Sequence, residues 1–118
     1  MIDIEKLKPL IIERLKPLKP EKVILFGSYA YGKPDEDSDI DLYIVTSDDI
    51  MPQAWREKSK VYLKYANQLE DIMNQYPTDL IVHTKKMYEK FIEMDSMFSR
   101  KILNQGEVLL WEHLQKNG

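Results

Sequence analysis

Residues 25–45 read LFGSYAYGKPDEDSDIDLYIV. An apolar run enters a Gly-Ser turn, crosses a charged loop and returns as Asp39-Ile40-Asp41-Leu42. With the residues just before it, the stretch contains two strand signals. KVILF (22–26) is rich in β-branched residues and bounded by Pro20 and Gly27, the pattern of a buried strand. DIDLYIV (39–45) alternates, with Ile40, Leu42 and Ile44 on one face. That alternation predicts Asp39 and Asp41 on the other face, about 6.5–7 Å apart at their Cα atoms. Two like charges so placed raise each other's pKa unless a cation lies between them. Hard divalent cations such as Mg²⁺ take carboxylate oxygens, commonly one or two from protein and the rest from water and phosphate. The plainer alternative is a strand start whose acids simply face water, which is the commoner meaning of an isolated Asp-x-Asp.

Two further features favour a metal clamp. Gly27 directly follows a strand, where a sharp turn lets backbone N–H groups face an anion. Ser28 adds a hydroxyl and is a candidate cap for a short helix through Tyr29-Ala30-Tyr31, and Gly32 allows a second close backbone approach. No Gly-Lys-Ser/Thr follows, so the turn is not a P-loop. Asp79 then heads TDLIVHT (78–84), a third strand. If that strand lies beside 39–45, three carboxylates meet at one end of a sheet next to a phosphate cradle. Those are the parts of a two-metal phosphoryl- or nucleotidyl-transfer site.

The rest of the chain frames these strands. Ile4, Leu7, Ile11 and Leu15 recur at helical spacing over 3–16, with Pro9 either kinking the helix or marking its first turn. Trp55, Tyr62, Tyr65, Leu69, Ile72, Met73 and Tyr76 predict one long amphipathic helix over 53–75, ended by Pro77. Met87, Phe91, Met94 and Phe98 predict shorter helices broken at Asp95-Ser96, and GEVLLW (106–111) an edge strand or turn before a tail. The 118 residues suffice for one core and are short for two, so a single α/β (α+β) domain over 1–118 is expected.

Composition narrows the function. Net charge is −3 with both signs dispersed, so bulk electrostatic binding of nucleic acid is not expected. There is no cysteine, which excludes disulfides and thiolate metal sites. The charged start and the lack of any run near 20 apolar residues point away from export and the membrane, toward the cytoplasm.

Gly27-Ser28, ten residues, then Asp39-Ile40-Asp41, with Asp79 beyond, resembles the signature of the DNA polymerase β-type nucleotidyltransferases. The resemblance covers about residues 22–84. It implies a small mixed sheet flanked by helices, the polymerase β palm-like fold. With no room expected for a further domain, the chain is similar to the minimal nucleotidyltransferases, the MntA-like antitoxins that act on HEPN-domain toxins. The resemblance implies transfer of AMP from ATP to a tyrosine of such a toxin, with Mg²⁺ at a two-metal site and a hetero-oligomer with the partner. Carried over by position, Gly27 and Ser28 would hold the triphosphate and Asp39 and Asp41 would ligate metal. Asp79 would be the third ligand and the general base. Many relatives read Gly-Ser-x-Ala-Arg-Gly where this chain has Tyr31, and Lys33 is the nearest substitute cation in sequence.

Two other functions stay open: a binding antitoxin that occludes its partner without chemistry, and a small-molecule nucleotidyltransferase similar to aminoglycoside-modifying enzymes. His83 lies about 13 Å along its strand from Asp79 and is expected to be a solvated or core histidine rather than part of the site. His113 shows no partner in the sequence. The tyrosine stripe is expected to be core, and the KPDED loop a solvated turn.

Overall fold

The computed structural model describes residues 2–111. Four strands form one sheet: β1 (Lys22–Phe26), β2 (Ile40–Val45), β3 (Thr78–His83) and β4 (Glu107–Trp111), in the order β3-β2-β1-β4. β1 runs antiparallel to both β2 and β4, while β2 and β3 are parallel. A parallel pair needs a long crossover. Here it consists of two helices, α3 (Trp55–Gln68) and α4 (Glu70–Gln75). The sheet is therefore mixed, as the resemblance implied. Its two central strands are buried on both faces, which explains why KVILF and LYIV are almost unbroken apolar runs.

One face of the sheet carries Val23, Leu25, Ile40, Leu42, Ile44, Leu80 and Leu110. It packs against Leu7, Ile11 and Leu15 of α1 (Ile4–Leu15) and against Tyr65, Leu69 and Ile72. The other face carries Ile24, Phe26, Tyr43 and Val45. It is covered by Phe91 of α5 (Lys85–Met94) and Ile102 of α6 (Met97–Gln105). Both of those helices have side-chain caps: Thr84 accepts from the Met87 N–H and Ser96 from the Ser99 N–H. Asp95, at φ +45°, turns the chain between them, at the expected break. A one-turn helix, α2 (Ser28–Tyr31), follows β1.

The single helix expected over 53–75 is two helices. Leu69, at φ −101° and ψ 10°, interrupts it, its amide shared between the Tyr65 and Ala66 carbonyls. Leu69 and Ile72 are both buried at the joint, so tertiary packing overrides the continuous helical pattern. The start of the stripe is not core either: Trp55 is 81% exposed, and only Tyr65 of α3 is fully buried. Pro9 lies inside α1 on its exposed side, and the helix runs through it. The tail and His113 lie outside the described residues. Among those described, no helix is long and apolar enough to cross a membrane.

Candidate active site

The parallel pairing of β2 with β3 makes Asp41 and Asp79 register partners, side by side at the N-terminal ends of their strands. Ile40, Leu42 and Leu80 belong to the core of one face. Alternation therefore puts Asp41 and Asp79 on the opposite face, the one shared with Tyr43 and Phe26. Asp39 stands one residue outside β2, exposed rather than within the strand as expected. The strand begins at Ile40, whose N–H donates to the Pro77 carbonyl at 2.9 Å. Asp41 is partly buried, and its carboxyl is pushed up from 3.8 to about 6. Burial is the main cause, followed by the charges of Asp79 and then Asp39.

Asp41 thus feels both other acids, but the three do not enclose a point. Among the described residues, no three potential ligands stand close enough to hold a metal by themselves. The donor set nevertheless fits Mg²⁺, which is held by one or two carboxylates with waters and phosphate oxygens completing its shell. A partly buried carboxyl beside two others is also a group that gains from a cation.

Gly27 is required here for two independent reasons. Its φ of +73° is strained for any residue with a side chain. A Cβ at this position would lie 1.9 Å from Asp41 Oδ2 and 2.9 Å from its Cγ. The turn backbone therefore lies directly against the Asp41 carboxylate. The Gly27 carbonyl accepts from the Ala30 and Tyr31 N–H groups at 3.0 Å, starting α2. Ser28 does not cap that helix as anticipated, because the cap position is Gly27. Gly32, at φ +82°, closes the turn, with its N–H and that of Lys33 both donating to the Ser28 carbonyl at 3.1 Å.

The loop between turn and strand supports itself. The Asp35 N–H donates to Ser38 Oγ at 2.9 Å, while the Asp37 N–H and the Ser38 hydroxyl donate to Asp35 Oδ1. Its other acids, Glu36 and Asp37, are exposed. Of the two placements expected for His83, the packed one is found: Nδ1 lies 2.6 Å from the Tyr43 hydroxyl, and the ring packs edge-on against Tyr43 and Phe91. Burial lowers its pKa, so the imidazole stays neutral.

Two neighbours of the site were not legible in the sequence. Phe26, the register partner of Asp41, meets the half-exposed Phe98 of α6 edge-on at 5.9 Å. Lys101, also on α6, places its ammonium 5.2 Å from the centre of the Tyr31 ring. Both contacts join segments about seventy residues apart, and neither follows a local pattern.

Residues 5–113 match the family described as polymerase beta, nucleotidyltransferase. A protein of Methanocaldococcus jannaschii that carries the provisional name protein adenylyltransferase is 35% identical over 89 residues, which is 75% of this chain and 77% of that one. A toxin–antitoxin crystallised with AMP-PNP superposes with a TM-score of 0.54 at 20% identity, over 93% of this chain and 77% of that one. A mutant of the MntA–HpeT toxin–antitoxin gives 0.53 at 19% identity, over 99% and 79%. At such identities these two likenesses concern the fold.

Proposed function

Because the chain belongs to the polymerase β nucleotidyltransferase family and is a nucleotidyltransferase, we propose that it transfers AMP from ATP to a hydroxyl on a partner protein. The observation that carries this reading is the side-by-side pair Asp41 and Asp79, with the Gly27 backbone against Asp41. The name of the archaeal relative supports a protein acceptor. The likeness to toxin–antitoxin structures supports a toxin as that acceptor, and the resemblance to MntA-like antitoxins supports a HEPN-type toxin with a tyrosine as the modified residue. On this reading residues 1–118 act as one minimal nucleotidyltransferase domain, in the cytoplasm and in a complex with the toxin.

Each residue has a role that its position permits. The Gly27-Ser28 turn takes the triphosphate: no Cβ stands in the way, and among the described residues the Ser28 hydroxyl makes no hydrogen bond. Asp39, Asp41 and Asp79 would hold Mg²⁺. When bound, Mg²⁺ supplies the positive charge that lets these acids ionise together and that offsets charge on the phosphates. The acceptor oxygen attacks the α-phosphorus, its proton passes to Asp79, and the bond to the β-phosphate oxygen breaks to release pyrophosphate. Asp79 suits the proton transfer because it is exposed at the strand start, open to an incoming hydroxyl.

The test is intact-mass spectrometry on the protein co-expressed with the product of its neighbouring gene, then incubated with ATP and Mg²⁺. Whole adenylate increments on the neighbour, lost in the Asp39→Ala/Asp41→Ala double variant, are expected. A stable complex with no increment on either chain would instead identify a binding antitoxin.

A further inference from the structure

We propose that Lys101 of α6, parked on the Tyr31 ring, is the cation that binds the triphosphate in this protein. The inference rests on the reading of Gly27 and Ser28 as the triphosphate turn, and it concerns what supplies positive charge beside that turn.

The site is dominated by acids. Asp39, Asp41 and Asp79 flank it, and Asp35, Glu36 and Asp37 lie in the loop between turn and strand. A side-chain cation there would offset the repulsion between these acids and an incoming triphosphate, beside any metal. Two lysines are candidates. Lys33 follows the turn directly but is exposed at the head of the acidic loop, and no contact of its ammonium fixes it among the described residues. Lys101 is anchored. α6 packs on the sheet face that bears Asp41, through Ile102 against the cluster of Ile24 and Phe26, and Tyr31 packs on the same cluster. From there the Lys101 ammonium lies over the Tyr31 ring at 5.2 Å, within the range of a cation–π contact.

Tyr31 ends the one-turn helix that Ser28 begins. Four helical residues span only about 6 Å, so the residue whose ring holds the ammonium belongs to the same short segment as the turn, and the proposal is that the lysine side chain swings from that ring to a phosphate seated there. Lys101 joins no ion pair among the described residues, whereas its neighbour Arg100 is paired with Asp95 at 3.4 Å. The adjoining pocket of about 270 Å³, lined by Met97, Arg100, Lys101, Asn104 and Gln105, contains no carboxylate. An ammonium resting on a ring rather than on an acid stays available. A charge-assisted hydrogen bond to phosphate is stronger than an exposed cation–π contact, so bound ATP draws it from one to the other.

The experiment compares ATP with adenosine. ATP binding in Mg²⁺ is measured by calorimetry, and adenosine binding by NMR titration, for the full chain and for Lys101→Met, Lys101→Arg and Lys33→Met. Lys101→Met is expected to weaken ATP binding about tenfold and leave adenosine unchanged. Lys101→Arg should stay within about twofold of the parent, since it keeps both the charge and the ring contact. Lys33→Met should have the smaller effect. Unchanged ATP affinity in Lys101→Met would overturn the proposal, as would equal weakening of ATP and adenosine or a larger loss from Lys33→Met. If the parent protein binds no ATP at all, the triphosphate reading of the turn fails and this proposal falls with it.

Discussion

Replacing Asp41 with asparagine should make the metal-free protein more stable at neutral pH while abolishing transfer. Burial, Asp79 and Asp39 raise the Asp41 carboxyl from 3.8 to about 6 in the folded state. That displacement corresponds to about 3 kcal/mol against the ionised form. Asp41 is only partly buried, so solvent screening reduces the figure to about 1–2 kcal/mol. A folded pKa raised above the unfolded one means that the protonated form favours folding. This contribution is fully present below about pH 4 and is lost as pH rises through about 6. Asparagine is neutral throughout and escapes the loss. Thermal melts in EDTA should therefore show parent and variant converging near pH 4. Above pH 7 the variant should lead by about 1–2 kcal/mol, or about 3–8 °C in a chain of this size. The titration of acids common to both proteins cancels in the difference. A variant less stable than the parent at pH 8, or a gap of constant size across the range, would refute the reasoning. Adding Mg²⁺ with ATP should reverse the order, since only the parent gains the stability of the bound state.

Three other substitutions test the site from different sides. Asp79→Asn should lower transfer by about 10²–10⁴-fold through loss of the proton acceptor, and in EDTA it should narrow the pH-dependent gap between Asp41→Asn and its Asp41 parent, because Asp79 is the larger of the two charges acting on Asp41. Gly27→Ala should destabilise the fold by about 1–3 kcal/mol through its positive φ and reduce transfer by about 10²-fold, because the new methyl must displace the Asp41 carboxylate; a denaturant melt and an adenylation assay measure the two effects. Tyr43→Phe should cost about 1 kcal/mol for the lost hydrogen bond to His83 with transfer retained, and a large drop in transfer in that variant would place His83 in the chemistry after all.

Much of the candidate site was legible because its residues are local in sequence. Gly27-Ser28 and Asp39-x-Asp41 lie on either side of one loop, and the strands carrying them show themselves by β-branched content and alternation. Errors arose where packing overrode local pattern. The apolar stripe from Trp55 to Tyr76 continues at helical spacing across Leu69. Nothing in that spacing says the helix must break there or leave Trp55 in water. Ser28 has the chemistry of a cap, yet the turn's geometry gives that position to Gly27.

The sequence by itself determined the ingredients: a mixed α/β chain, a glycine turn after a strand, three carboxylates at strand starts, and a composition without thiols or a basic face. It could not determine which of these ingredients meet. Strand order is a long-range property, set when two sheet faces bury different apolar sets under different helices. Only the parallel pairing of β2 with β3 makes Asp41 and Asp79 neighbours. The same holds for the cation beside the turn. Lys33 is nearest along the chain, but α6 folds back over β1 to bury Ile102 and so carries Lys101 onto Tyr31. A contact made through a helix whose other face is held by the core leaves no trace in the residues on either side of it.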